Sequence, residues 1–145
     1  MAENRQSRKE ESMLCDERIL SLVGVPFKDG GRGPNSYDCW GLVREVYHRY
    51  GIELPDYDIG CYDILNVMAE MERNRPLWIE HKPPDLPVPC VAAFRVSATM
   101  VNHVGIYIGD GRFLHTREKA GAVIESLDSP IWRHRIKGFY SPCQT

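Results

Sequence analysis

Residues 35–55 read NSYDCWGLVREVYHRYGIELP, and they follow a glycine-rich loop, KDGGRGPN, at 28–35. Within this stretch Cys39, Val43, Val46 and Tyr50 are separated by four, three and four residues, so they share one face of a helix that Gly51 closes. Asp38 stands where an N-cap belongs and stabilises such a helix by about 1 kcal/mol. Cys39 therefore sits on the packed face at the end where backbone N–H groups lack helical partners. Those amides and the helix dipole favour negative charge, which lowers a thiol's pKa from its free value of about 8.5, more so beside an imidazolium. A thiolate so placed is a nucleophile, and the same amides can hold an oxyanion. An inert, packed cysteine fits the helical spacing equally well. What separates the two readings is the loop, whose exposed backbone gives a substrate a route to the sulfur.

Outward from this helix the chain divides into two kinds of pattern. Residues 1–12, MAENRQSRKEES, are charged and read as a disordered arm; residues 13–145 read as one domain. Apolar Cys15, Ile19, Leu22 and Val23 recur at helical spacing before Gly24 and Pro26. YDILNVMAEMERN at 62–74 carries Ile64, Val67, Met68 and Met71 on one face, a further amphipathic helix. After Pro76 the period becomes strand-like in LWIEH, CVAAFRV, HVGIYIG, RFLHT and AVIESL. Helices first and strands afterwards predict an α+β domain, N-terminal helices packed on a mainly antiparallel sheet.

Composition narrows the function. Eighteen Lys and Arg against 20 Asp and Glu give a net charge of −2, too little positive charge for nucleic acid or an anionic membrane as the main partner. No apolar run approaches the roughly 20 residues of a membrane span, and the first residues lack the apolar segment of a signal peptide. Five cysteines without a CxxC or another short ligand spacing predict reduced thiols rather than disulfides or a zinc cluster. Nothing calls for a metal or an organic cofactor.

A cysteine nucleophile needs a base, and the base an orienting group. His48, His81 and His134 lie in surface-type contexts, whereas His103 and His115 fall in one hairpin, NHVGIYIGDGRFLHT. Alternation puts His103, Gly105 and Tyr107 on one face of their strand. A two-residue Asp-Gly turn would pair Gly109 with Arg112 and send His115 to the other face. A three-residue loop of Gly109, Asp110 and Gly111 pairs Gly105 with His115, so that both histidines share a face with Gly105 making room between them. Gly111 suits the left-handed position that this loop needs, which predicts the second register.

YDCWGLVREVY, followed about sixty residues later by NHVGIYIGDGRFLH, resembles the NlpC-type cell-wall cysteine peptidases over roughly Val25 to Pro142. The resemblance implies a papain-like fold with Cys39 as nucleophile, His103 as general base and His115 as the residue that orients it. It also implies a peptidoglycan stem peptide as substrate, cut between D-glutamate and a diamino acid, with the amide adjoining the sugar as the alternative. The Asp-Cys-Trp-Gly form, GIELPDY at 51–57 and SPIWRHRIKGFYSP at 129–142 resemble the branch associated with bacteriophage tails and prophages. That branch implies synthesis in the bacterial cytoplasm, delivery to the cell wall with a phage tail, and tail-tip proteins as partners. A tail-tip protein that keeps the fold without hydrolysis, and a thiol acyltransferase or deamidase on the same fold, remain as alternatives. Trp40 replaces the family's usual serine and Phe27 its tyrosine, while VPC at 88–90 replaces Pro-Gly-Asp. Tyr37, Asp38 and Trp40 are the candidate substrate-binding residues beside the nucleophile.

Overall fold

The computed structural model describes residues 12–56, 78–95 and 101–143. The charged arm up to residue 11 and the amphipathic segment 62–74 lie outside the described residues. Ser12, counted with the arm from sequence, belongs to the folded body: its hydroxyl donates to the Asp110 carboxylate at 3.0 Å, and the Met13 N–H donates to the Ile108 carbonyl at 2.7 Å.

The first helix, α1 (Glu17–Leu20), is shorter than its apolar spacing predicts. Asp16 caps it by accepting from the Arg18 N–H, but the bonds that follow, Leu22 to Ile19 and Val23 to Leu20, span three residues and form turns. Gly24, at φ +91°, ends the segment and donates to the Ala122 carbonyl. Helix α2 (Cys39–Arg49) starts at the expected residue. It closes through Gly51 at φ +87°, whose N–H bonds the His48 carbonyl, while the Ile52 N–H bonds that of Tyr47. These two bonds are the paired C-terminal closure that a left-handed glycine permits.

Among the described residues six strands follow: β1 (Trp78–His81), β2 (Cys90–Arg95), β3 (Val101–Gly109), β4 (Arg112–Arg117), β5 (Gly121–Ser126) and β6 (Ile136–Pro142). They form one antiparallel sheet in the order β1-β6-β2-β3-β4-β5. Sequence reading assigned the first five strands but not β6, whose Lys-Gly-Phe-Tyr centre breaks the apolar alternation. It inserts between β1 and β2, pairing Phe139 with both His81 and Ala92.

Alternation builds two apolar layers. Val91, Ala93, Val104, Ile106, Ile108 and Leu114 pack with Ile19, Leu22, Val43, Val46 and Tyr47 on the helix side. Cys90, Ala92, Phe94, Phe113, Trp132 and Phe139 form a second cluster on the other face. Here the β3–β4 hairpin differs in one detail from both registers weighed above. The turn has two residues, Asp110 and Gly111 at φ +54° and +72°, and Gly109 pairs with Arg112. Ile108 is then left over as a bulge, after which Tyr107 pairs with Phe113 and Ile106 with Leu114. One extra residue cancels the shift that the shorter turn introduces. The strand bodies therefore adopt the register of the three-residue loop, and Gly105 meets His115.

A Cβ at Gly105 would lie 2.9 Å from the Leu114 carbonyl oxygen and 3.0 Å from the His115 Cβ. Gly105→Ala is therefore expected to lower stability by about 1–3 kcal/mol, read as a reduced urea midpoint with an unchanged slope.

Candidate active site

The loop at 28–35 is folded back on the start of α2 by one carboxylate. Asp38, fully buried, accepts from the Gly41 N–H at 2.8 Å, the Gly30 N–H at 3.0 Å and the Arg32 guanidinium at 2.7 Å. Its own N–H donates to the Gly31 carbonyl. Gly41 is required because a side chain there would run into that carbonyl oxygen. The Asp-Cys-x-Gly stretch is thus a clasp between loop and helix, and Cys39, 1% exposed, is held inside it.

His103 and His115 meet directly. His103 Nε2 lies 2.8 Å from His115 Nδ1, and the rings stand edge to face. His115 Nε2 in turn lies 2.7 Å from Glu125 Oε2. Glu125 also accepts from Trp132 Nε1 at 3.2 Å and from Arg117 at 3.2 Å. The Trp132 indole stacks on His103, with centroids 5.6 Å apart and planes 23° apart, and meets the face of His115 edge-on. Phe94 and Phe113 close the remaining sides.

This apolar enclosure sets the protonation state. Burial pushes His103 well below the ordinary histidine value, and the positive charges of protonated His115 and of Arg117 act in the same direction. Burial lowers His115 as well, partly offset by its bond to Glu125. Burial raises Glu125, but hydrogen bonds from His115, Trp132 and Arg117 outweigh it and hold the carboxyl below its usual range. The enclosure thus favours neutral imidazoles in the His103–His115 pair.

Each expected residue can now be located. His103 and His115 are joined on β3 and β4, and α2, headed by Cys39, packs against both strands. Cys39 belongs to the helix-side cluster, while the imidazoles share the sheet face of Phe94 and Phe113. Tyr37, Asp38 and Trp40, the candidate substrate-binding residues, are 3%, 0% and 1% exposed, as enclosed as Cys39 itself. Tyr37 lies over Gly33, and the Trp40 indole donates to the Pro55 carbonyl at 3.1 Å. His48 pairs with Glu53 at the surface, His81 bonds Ser141, and His134 is exposed. Among the described residues, no group of three His, Cys, Asp or Glu side chains is placed to hold a metal ion, and no helix is long and apolar enough to cross a membrane.

Two residues of the site escaped sequence reasoning. Glu125 was within reach: β5 pairs Val123 with His115 and Glu125 with Phe113, so the same alternation puts an acid on the histidine face. Trp132 comes from an irregular segment after β5, where no period points anywhere.

Residues 24–141 match the NlpC/P60 family. The chain is 29% identical over 126 residues to the murein DD-endopeptidase MepS/murein LD-carboxypeptidase of Escherichia coli K12, covering 86% of this chain and 59% of that protein. It is 26% identical over 117 residues to the probable endopeptidase p60 of Listeria monocytogenes, covering 81% of this chain and 21% of that protein. The chain thus spans about three fifths and one fifth of these relatives. Among solved structures, an NLP/P60-family lipoprotein-like protein of Staphylococcus aureus superposes with a TM-score of 0.66 at 24% identity, over 94% of this chain and 42% of that one. An NlpC/P60-family protein of Bacillus cereus gives 0.63 at 21% identity, over 85% and 38%. These likenesses establish the papain-like α+β fold.

Two outcomes follow from the site. Asp38→Ala leaves the Gly30 and Gly41 N–H groups and Arg32 without their shared acceptor, and should cost about 2–4 kcal/mol in urea unfolding. The depressed histidines also give stability a pH dependence of defined sign. Below about pH 6.5 the unfolded chain binds protons that the folded chain refuses, so stability falls as pH drops. Between pH 7 and pH 5 the loss should be on the order of 1–2 kcal/mol per histidine, and the slope should flatten in His115→Asn. Asp16, lowered to about 2 chiefly by its bond to Arg18, keeps its full stabilisation through that window and loses it only as pH falls from about 3.8 towards 2.

Proposed function

The chain belongs to the NlpC/P60 family, and from that membership and the site's geometry we propose that it is a cysteine hydrolase of peptidoglycan stem peptides. The observation that carries the reading is the His103–His115 pair at 2.8 Å, on the two strands against which the helix headed by Cys39 packs.

His103 Nε2 is occupied by His115, so Nδ1 is the ring nitrogen that takes the thiol proton. The Cys39 sulfur attacks the amide carbonyl carbon as that proton moves to Nδ1. The tetrahedral oxyanion is held by the Cys39 N–H, at the positive end of the helix dipole. Collapse breaks the C–N bond, and the proton on His103 passes to the departing amine, leaving a thioester on Cys39. His103 then takes a proton from water as its oxygen attacks the thioester; the acid is released and the thiol restored. Burial supports this order, because a neutral His103 is a base before attack rather than half of a standing ion pair. The reading requires Sγ and Nδ1 to face each other beside the first residues of β3, where the bulge between Phe94 and Arg95 turns the neighbouring strand.

The names of the relatives support the substrate class, since one is called a murein endopeptidase and carboxypeptidase and another a probable endopeptidase. Within that class we assign the bond between D-glutamate and the diamino acid, and delivery to the cell wall with a phage tail whose tip proteins are partners. The bond rests on the resemblance to the NlpC-type peptidases, and the delivery on the resemblance of Asp38-Cys39-Trp40-Gly41, of residues 51–57 and of residues 129–142 to the branch associated with bacteriophage tails.

Purified sacculi incubated with wild type and with Cys39→Ala test the reading. Wild type alone should release new muropeptides, whose masses identify the bond cut. Equal silence from both proteins, with both shown to be folded, would refute hydrolysis of this substrate.

A further inference from the structure

We propose that Glu125 is a positioning residue that fixes which ring nitrogens of His115 and His103 carry protons, so that His103 presents its lone pair at Nδ1. The inference rests on the hydrolase reading above and adds to it a residue on a third strand.

One line of hydrogen bonds joins Glu125, His115 and His103. Glu125 Oε2 lies 2.7 Å from His115 Nε2, and an ionised carboxylate can only accept. His115 Nε2 must then carry the proton, and in a neutral ring Nδ1 carries the lone pair. That lone pair lies 2.8 Å from His103 Nε2, which must therefore be the donor. One proton remains to be assigned on neutral His103, and it is already on Nε2; Nδ1 is left as the acceptor. The reverse polarity gives the opposite result. Were His115 protonated on Nδ1, its Nε2 lone pair would confront the carboxylate, His103 Nε2 would accept, and His103 Nδ1 would hold a proton it could not exchange for that of a thiol.

The surroundings keep Glu125 ionised and aimed. Arg117 donates to the same oxygen, Oε2, at 3.2 Å, and Trp132 donates to Oε1 at 3.2 Å, so both carboxylate oxygens are held. Trp132 also stacks on His103, which couples the orientation of the carboxylate to that of the base. Among the described residues, Arg117 and Glu125 are the charged side chains that act on the two imidazoles, one on β4 and one on β5. Deep burial makes the arrangement decisive, since neutral imidazoles have two tautomers and only a directional partner selects between them.

Nitrogen-15 NMR of the full chain tests this without a variant. His115 in the wild type should show a protonated Nε2 and an unprotonated Nδ1 at neutral pH; the opposite assignment overturns the proposal. Glu125→Gln keeps the shape but can offer either an N–H or a carbonyl to His115. It should move His115 to the reverse tautomer or a mixture and slow muropeptide release from sacculi by on the order of tenfold or more, while the melting temperature stays within a few degrees. An unchanged tautomer together with an unchanged rate overturns it equally. The spectra read the tautomer whether or not sacculi are cut, so failure of the hydrolase reading and failure of this one are told apart.

Discussion

The site depends on a single leftover residue in a hairpin. A two-residue turn at Asp110-Gly111 would by itself set His103 and His115 on opposite faces of the sheet. The bulge at Ile108 restores the phase, and the imidazoles come within hydrogen-bonding distance across Gly105. Nothing in the remaining fold could repair a slip here, because a shift of one residue moves every side chain of a strand to the other side. The glycines at 105, 109 and 111 follow from the same constraint. Two have positive φ, and the third leaves no space for a side chain above His115.

A second constraint joins the hairpin to the helix. Asp38 gathers the glycine-rich loop, the first turn of α2 and Arg32 into one buried knot, so that the helix begins at Cys39 and at no neighbouring residue. The cysteine's position is therefore set by polar bonds, whereas the histidines' position is set by strand register. The helix side of the sheet, with Val104, Ile106 and Leu114, packs against the helix that this knot anchors.

The sequence revealed those parts of this arrangement that depend on local spacing. The extent of α2, the positions of five strands and the shared face of the two histidines follow from periods of 3.6 and 2. What it concealed depends on tertiary context. Strand β6 lacks alternation because it is held between β1 and β2 by pairing rather than by an apolar stripe. Trp132 reaches the histidines from an irregular segment. The neutrality of the imidazoles arises from Phe94, Phe113 and Trp132 closing around them, which no local pattern expresses. The contacts of Tyr37 over Gly33 and of the Trp40 indole with the Pro55 carbonyl are likewise tertiary.

The most direct test of the account is the chemical coupling of the Cys39 sulfur to His103. Because a neutral His103 takes the thiol proton as the sulfur attacks, alkylation by iodoacetamide at pH 6, followed site by site by mass spectrometry, should modify Cys39 at least about tenfold faster than exposed Cys15. In His103→Ala that advantage should vanish while Cys15 is unaffected. A Cys39 that reacts no faster than Cys15, or that keeps its advantage without His103, would contradict the account.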